Sequence, residues 1–153
     1  MAGELTTAEL AALIKEGGPF SAGSSLTGDE IIASISELLL HTAHPEYVTV
    51  MVSESQTFDY PGVGGFREAW EDWLYPYEAF RVELDDVIQL EDKVVFLVRQ
   101  IATTRHSSVE VETPSAAVWL LKDGQIRQAA FYLDRQAGLK AAGMAPPDRL
   151  PDD

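Results

Sequence analysis

Residues 66–77 read FREAWEDWLYPY, and this stretch decides the fold class. Its large apolar residues recur at helical spacing and share one face, whereas its charged residues share the opposite face. The apolar face carries Phe66, Trp70, Trp73, Leu74 and Tyr77. The pattern predicts an amphipathic helix over 66–77, with Pro76 ending or distorting its last turn. Such a helix has to bury its apolar face against another element.

After this helix the apolar residues alternate with a period of two, which predicts strands. The predicted strands cover residues 80–90, 94–104, 110–121 and 125–133. Asp123 and Gly124 form a tight turn signal between the last two strands. Four antiparallel strands joined by short turns predict a curved sheet.

Two helices are predicted near the N-terminus. Thr6 with Glu9, and Thr27 with Glu30, have the capping-box spacing, in which each side chain caps the other residue's backbone N–H. A connector rich in glycine and serine is expected between them, over residues 19–25.

Short segments complete the predicted elements. Residues 47–52 and 56–60 are rich in strand-forming residues and predict two strands before the amphipathic helix. Asp134 is placed to cap a last helix over 136–142, which Gly143 closes.

These elements predict an α+β domain, with helices on the concave face of a curved antiparallel sheet. Residues 1–25 are expected to form an N-terminal helix and connector, and residues 26–143 the domain. Residues 144–153, rich in proline and aspartate, are expected to be a disordered tail. The space between a bent sheet and its helices predicts a small-molecule pocket.

The composition excludes several classes of function. The chain has 153 residues and a net charge of −14, which opposes binding to nucleic acid or to an anionic membrane. It has no cysteine, so no disulfide or thiolate site can form. We find no signal peptide and no apolar run long enough for a membrane span, so we expect a cytoplasmic protein. The absence of asparagine and the four lysines suggest a bacterial genome rich in GC.

Four segments resemble the SnoaL-like family. They are the glycine-led helix start 62–70, the strand 94–100, the strand–turn–strand 118–126 and the closing segment 131–137. The resemblance covers about residues 45–143. It implies the nuclear transport factor 2-like (ketosteroid isomerase-like) fold, a cone-shaped α+β barrel that is often a homodimer through the outer face of its sheet. Proteins with this fold include polyketide cyclases, ketosteroid isomerases, epoxide hydrolases and dehydratases, so the fold selects no reaction.

The chain departs from two catalytic patterns of that superfamily. The characterised cyclases resemble one another in a His-Trp-Asp run on the final strand, whose Asp is the base. This chain has Ala129, Ala130 and Phe131 at that place. The epoxide hydrolases pair an Arg with an Asp two residues later, whereas here Arg99 is followed by Ile101.

Arg99, Glu112 and Asp59 are the candidate catalytic residues. Arg99 lies within an apolar strand, where a guanidinium is costly unless it is paired with a group such as Glu110 or Glu112, or binds a carboxylate or enolate. Glu112 is a candidate general base if it is buried. Asp59 beside Tyr60 is a second candidate acid–base pair. A structural ion pair and an ordinary strand end are the competing interpretations.

The candidate ligand-binding residues are mainly aromatic. They are Trp70, Trp73, Tyr77, Trp119, Tyr132, Tyr60 and His106. The competing interpretation is plain core packing for the aromatic rings and an exposed loop position for the histidine. His41 and His44 have no nearby carboxylate that completes a ligand set, so we expect no metal site.

Three functional hypotheses follow from these residues. The first is a homodimeric domain that binds a small apolar or carbonyl-bearing molecule. The second is an isomerase, cyclase, hydratase or hydrolase that acts on a small carbonyl or polycyclic substrate without a cofactor. In that reaction Glu112 or Asp59 is the base and Arg99 stabilises an oxyanion. The third is a protein–protein module with a vestigial pocket.

Overall fold

The computed structural model describes residues 4–15, 25–53 and 56–144, and shows a curved, mostly antiparallel sheet with helices packed on it. The helices are α1 (Thr7–Lys15), α2 (Gly28–Thr42), α3 (Val63–Leu74) and α4 (Arg135–Ala141). The strands are β1 (Ser25–Thr27), β2 (Ala43–Ser53), β3 (Gln56–Pro61), β4 (Tyr77–Gln89), β5 (Lys93–Thr104), β6 (Glu110–Lys122) and β7 (Gln125–Tyr132). No helix in these residues is long and apolar enough to cross a bilayer. The α+β class is confirmed.

Both capping boxes form where the sequence places them. The Thr6 backbone N–H donates to Glu9 Oε1 over 3.0 Å, and the Glu9 N–H donates to Thr6 Oγ1 over 3.0 Å. Thr27 and Glu30 exchange the same two bonds over 2.9 and 3.3 Å. These bonds satisfy N–H groups that have no partner inside the helix, so α1 and α2 begin at these positions.

The amphipathic helix α3 begins and ends about one turn before the predicted helix. It starts after Gly62, whose φ of 83° favours glycine. Its last residue is Leu74, so the prediction that Tyr77 lies on this helix is wrong, and Tyr77 begins β4 instead. Pro76 lies in the turn between the two elements.

The strand order is β1-β4-β5-β6-β7-β2-β3, and β4 to β7 form the expected antiparallel meander. Asp123 and Gly124 have φ values of 56° and 75°, as a type I′ turn requires. The sequence pattern did not predict that β2 runs parallel to β7, with Met51 opposite Phe131.

β1 begins at Ser25, the last residue of the predicted connector. Ser25–Thr27 pairs antiparallel with β4, and Leu26 lies opposite Val82. The rest of that connector, residues 19–24, lies outside the described residues, as do residues 145–153 of the predicted tail.

The two faces of the sheet pack into separate cores. On the inner face, residues of α1, α2 and α3 such as Ile35 and Trp70 pack with Phe96 of β5. On the outer face, Leu139 of α4 packs with Val95 of β5. Helices therefore cover both faces, since α4 lies opposite the other three.

The first helix packs on the same sheet as the rest of the chain. Leu10 and Ile14 of α1 are buried in the inner core. Gln89 Nε2 donates to Thr7 Oγ1 over 3.2 Å, and the Leu5 N–H donates to the Gly124 carbonyl over 2.7 Å. Side-chain and backbone contacts thus hold α1 against the inner face.

Candidate functional site

A small cavity lies between the inner face of the sheet and helices α1, α2 and α3. Its volume is about 50 Å³. The strands contribute Val82, Phe96, Val98, Gln100, Ser115, Ala116, Ala117, Trp119 and Phe131. The helices contribute Ile14, Ile31, Ile35 and Trp70. None of these lining residues is ionisable, so the described walls offer neither a formal charge nor a general base.

The volume of the cavity is smaller than that of the ligand pocket expected from the curved sheet. Ligand pockets usually measure about 300–1,000 Å³, whereas one water needs about 10–15 Å³. Ile14, Ile31 and Ile35 line its helical side and are buried, which accounts for the small volume. The space admits a molecule of only a few non-hydrogen atoms.

Aromatic rings hold each other in fixed orientations around the cavity. The Phe131 ring is T-shaped to Trp70, with centroids 5.3 Å apart, and to Trp119, with centroids 6.2 Å apart. Phe96 is T-shaped to Trp119 at 5.4 Å. Edge-to-face contacts match the positive edge of one ring to the negative face of another. The two indoles are therefore ordered by packing.

A row of hydrogen bonds forms the polar side of the cavity. Trp73 Nε1 donates to Gln100 Oε1 over 3.1 Å, and Gln100 Nε2 donates to Ser115 Oγ over 3.1 Å. Ser115 Oγ donates in turn to the Leu133 carbonyl oxygen over 2.8 Å. Gln100 and Ser115 are buried, so this row fixes both side chains. Trp73 does not line the cavity but donates a hydrogen bond to Gln100, which does.

Two buried donors in the same lining have no acceptor. Trp70 and Trp119 are 3% and 2% exposed, and the Nε1 atom of each makes no hydrogen bond within the described part of the chain. A buried donor without a partner costs about 1–3 kcal/mol. Both unpaired donors belong to residues of one cavity.

Arg99 lies on the outer face of the sheet. Val98 and Gln100 line the cavity, so the side chain between them points the other way. Its guanidinium contacts Glu112 Oε2 over 2.6 Å, Asp85 Oδ1 over 2.9 Å and Glu83 Oε1 over 2.9 Å. The hydrogen bonds to Glu112 and Asp85 raise the pKa of Arg99. Arg99 and Glu112 contact each other, and neither lines the cavity. A catalytic role for these two residues stays a prediction.

Asp85 and Arg135 complete this cluster, and neither was among the predicted site residues. The pairing of β4 with β5 shifts register between Leu84 and Asp86, which places Asp85 at a bulge. Partial burial acts to raise the pKa of Asp85, but hydrogen bonds from Arg135 and Arg99 outweigh it and hold the pKa below its usual value. The bulge shifts the phase of the apolar alternation along β4, since Phe80, Val82 and Leu84 are followed on the same face by Val87. The adjacent pair Asp85 and Asp86 at this shift was therefore a sequence signal for the bulge.

Asp59 and Tyr60 do not form an acid–base pair with each other. Asp59 is exposed on β3, opposite Val50 of β2. The Tyr60 hydroxyl donates to Asp72 Oδ2 of α3 over 3.1 Å. Partial burial, and then the hydrogen bond with Asp72, raise the pKa of Tyr60. Neither Asp59 nor Tyr60 is part of the cavity lining.

The predicted ligand-binding residues are divided among several places. Trp70 and Trp119 line the cavity. Tyr77 lines an open groove beside the start of α2. Tyr132 packs on the outer face, where burial raises its pKa. His106 is exposed in the turn between β5 and β6. Of the predicted ligand-binding residues, only Trp70 and Trp119 are thus placed to contact a molecule in the cavity.

The predicted site residues did not include Phe96, Gln100 and Ser115. Phe96 and Gln100 alternate in phase with Val98 along β5, but the strand is apolar on both faces, so the alternation does not show which face meets the helices. Ser115 lies opposite Val98 in the pairing of β5 with β6, which sequence alone does not give.

His41, near the end of α2, and His44, near the start of β2, have separate partners. His41 Nε2 lies 3.3 Å from Glu37 Oε2, whereas His44 Nε2 lies 3.9 Å from Asp123 Oδ2. Over residues 4–15, 25–53 and 56–144, no three side chains of the types that bind metals come together.

Comparison with known proteins identifies relatives of this fold. A family model described as a SnoaL-like domain matches residues 36–129. No curated protein matches the sequence.

Solved structures share the fold at low sequence identity. A candidate SnoaL-like polyketide cyclase from Jannaschia sp. CCS1 is 17% identical, with 96% of this chain and 97% of that chain covered and a TM-score of 0.57. A protein with a ketosteroid isomerase-like fold from Catenulispora acidiphila, in complex with trimethylamine, is 13% identical, with 93% and 95% covered and a TM-score of 0.54. TerC, co-crystallised with polyporic acid, is 17% identical, with 63% and 76% covered and a TM-score of 0.52.

Proposed function

Because the chain belongs to the SnoaL-like domain family, we propose that it binds a small apolar or carbonyl-bearing molecule in the cavity between the inner face of the sheet and α1–α3. The observation that supports this proposal is the lining, in which two indoles and apolar side chains enclose a space without an ionisable group among the described residues. An uncompensated charge would be costly there, so the ligand is uncharged.

The volume limits the ligand and its affinity. A space of about 50 Å³ suits a molecule of a few non-hydrogen atoms. The best very small ligands gain about 1.5 kcal/mol per atom, which gives a dissociation constant of about 40 μM at best for about four atoms. A larger ligand requires Ile14, Ile31 or Ile35 to move.

A titration with cavity-filling variants tests this proposal. Small uncharged molecules are added while tryptophan fluorescence is recorded, since Trp70 and Trp119 line the cavity. Val98→Ile adds a methylene group inside the cavity and should abolish the response. Val95→Ile makes the same change on the outer face of the same strand and should retain it. Equal binding by both variants would place the ligand elsewhere.

The enzyme hypothesis has less support from the geometry. It requires Glu112 or Asp59 as the base and Arg99 as the oxyanion donor, and all three lie outside the cavity lining. A reaction in the cavity would have to use Gln100, Ser115 or the indoles, none of which is a general base at neutral pH. The third hypothesis, a protein–protein module, expects no fluorescence response to any small molecule.

Dimerisation through the outer face is a further part of the proposal. Arg81 and Arg99 lie there among Glu83 and Glu112, and a patch that carries both charges can pair with its own copy across a two-fold axis. Light scattering after size exclusion should give twice the monomer mass at low salt and a smaller mass at high salt. A cytoplasmic location likewise stays a prediction.

A further inference from the structure

Ile14 is the side chain through which helix α1 closes the cavity. It is 2% exposed, and of the described residues of α1 it alone lines the cavity. The other helical walls come from α2, through Ile31 and Ile35, and from α3, through Trp70. On the premise that the cavity binds a small molecule as proposed above, the wall that moves at the lowest cost sets the largest ligand.

Helix α1 is held by fewer buried side chains than α2. Its large buried apolar residues are Leu10 and Ile14, whereas those of α2 are Ile31, Ile32, Ile35 and Leu39. The cost of exposing a helix rises with the apolar area that it buries, so α1 costs less to displace. With nine residues, α1 is also short enough to be marginal as a helix once it leaves the sheet.

The polar contacts of α1 lie at its N-terminal end. Thr7 Oγ1 accepts from Gln89 Nε2 over 3.2 Å, and just before the helix the Leu5 N–H donates to the Gly124 carbonyl over 2.7 Å. Within the described part of the chain, residues 11–14 make no hydrogen bond to another element. The C-terminal half of α1 is therefore held to the sheet by packing, and it can move while the N-terminal contacts remain.

We propose that α1 is a lid of the binding site, and that Ile14 determines the largest ligand that the closed site accepts. With α1 in place, the cavity of about 50 Å³ admits only molecules of a few non-hydrogen atoms. When the C-terminal half of α1 moves off the sheet, the space that Ile14 fills becomes part of the cavity. The ligand of the open site is then an uncharged molecule of ring size, such as a cyclic ketone, and its burial replaces the contacts that Ile14 loses.

Two ketones of different size test this inference on the full chain. Acetone is small enough for the closed cavity, whereas cyclohexanone adds a ring and needs the open one. Affinities follow from the isoleucine methyl resonances in a titration, and amide hydrogen exchange of residues 11–14 reports the opening of α1. Cyclohexanone should speed that exchange about tenfold or more, because the displaced helix is marginal, and acetone should not speed it.

Two buried leucines provide matched variants. Leu10 of α1 and Leu39 of α2 are 0% and 1% exposed, both belong to the inner core, and neither lines the cavity. Leu10→Ala weakens the packing of α1, so the open fraction rises and the affinity for cyclohexanone should rise about tenfold. The affinity for acetone should not change. Leu39→Ala makes the same change on α2 and should leave both affinities unchanged, although it lowers the melting temperature.

Ile14→Ala tests the size limit itself. It removes part of the wall, so cyclohexanone should bind about tenfold more tightly and without faster exchange of residues 11–14. Leu13 is 38% exposed and does not line the cavity, so Leu13→Ala should leave the affinity unchanged. Equal affinities of these two variants for cyclohexanone would show that Ile14 does not set the size of the ligand.

Several results would overturn the lid. Tighter binding of cyclohexanone by both leucine variants would mean that it fills the space left by the removed side chain. Cyclohexanone binding to the unmodified chain without faster exchange of residues 11–14 would mean that another wall moves. If Leu10→Ala does not fold, Thr7→Val removes the hydrogen bond from Gln89 and should raise the affinity for cyclohexanone about threefold, and an unchanged affinity would contradict the lid.

The same titrations separate the lid from the proposed function. Acetone binding that Val98→Ile abolishes, together with no binding of cyclohexanone, would keep the proposed function and overturn the lid. No methyl shift with either ketone would contradict the proposed function, and the lid with it.

Discussion

Asp85 and Arg135 form an ion pair of 2.7 Å that joins the bulge of β4 to the start of α4. Arg135 Nη2 also donates to the Val98 carbonyl over 2.7 Å, and Arg99 donates to the other oxygen of Asp85. We call Glu83, Asp85, Arg99, Glu112 and Arg135 the outer-face ion cluster. It connects β4, β5, β6 and α4 on the side of the sheet opposite the cavity.

The cluster makes stability depend on pH in the acid range. The pKa of Asp85 is lower in the folded chain than its usual value of 3.8, so the folded state favours the ionised carboxylate. Its contribution is therefore complete above that usual value and is lost as the pH falls through the lower folded pKa. The free energy of unfolding, measured by urea denaturation, should fall below about pH 4 and level off at higher pH. Asp85→Asn should remove part of this fall.

Asp59→Asn is the matched control for that pH series. Asp59 is an exposed carboxylate on β3, far in sequence from the cluster and without an ion pair among the described residues. The variant should reproduce the wild-type pH profile. A profile flattened equally by both variants would mean that general acid effects, and not Asp85, cause the fall.

Replacement of Arg99 separates a structural role from a functional one. Arg99→Ala leaves Glu83, Asp85 and Glu112 close together without their shared cation, so the melting temperature should fall by roughly 2–4 °C, as for other partly exposed ion pairs. Ligand affinity should not change, because Arg99 lies on the other face from the cavity. Calorimetry and the fluorescence titration measure the two effects. A loss of binding at an unchanged melting temperature would restore the functional role.

Two neighbouring glycines of α3 should respond in opposite directions to alanine. A Cβ atom at Gly65 would lie 2.5 Å from the Tyr60 carbonyl oxygen, whereas one at Gly64 meets nothing within 4 Å. Gly65→Ala should lower the free energy of unfolding by about 1–3 kcal/mol. Gly64→Ala should raise it by about 0.5–1 kcal/mol, because alanine loses less backbone entropy in a helix. Urea denaturation of both variants gives the comparison, and equal changes would contradict the close approach of α3 to β3.

Gln100 should contribute to stability through its hydrogen bonds to Trp73 and Ser115. Gln100→Leu leaves Trp73 Nε1 without its acceptor and removes the bond to Ser115, which should cost about 1–3 kcal/mol. Trp73→Phe removes the donor instead. If the Trp73–Gln100 bond is the shared cause, the double variant should lose less stability than the sum of the single variants. Additive losses would show that the two side chains act independently.

Local sequence patterns predicted most of the helices, strands and turns, because the interactions that start or end these elements join residues close together in the chain. The capping boxes Thr6–Glu9 and Thr27–Glu30 contain their own hydrogen-bond partners, and the Asp123–Gly124 turn depends on the φ of those two residues. The parallel pairing of β2 with β7 joins segments about eighty residues apart in the chain, such as Met51 and Phe131, so no local pattern encodes it.

The candidate site was harder to predict for a specific reason. β5 is buried on both faces, with Val94 and Val95 each 0% exposed, so its apolar run does not show which side chains face the helices. Arg99 and Gln100 are adjacent polar residues in that run, and only the fold decides that Gln100 faces the cavity and Arg99 the ion cluster. The indoles were identified because large aromatic residues on the inner face are evident from the helix and strand periods.

The position of β7 between β6 and β2 determines when the sheet can be completed during synthesis. A nascent chain that ends before residue 125 contains the β2–β3 hairpin, but it lacks the strand on which that hairpin rests. An isolated hairpin is marginally stable in water, and joining ends so distant in the chain is slow. A chain whose synthesis has not reached β7 therefore has one unpaired edge on β6 and another on β2, and these edges are where a chaperone or a second unfinished chain would attach.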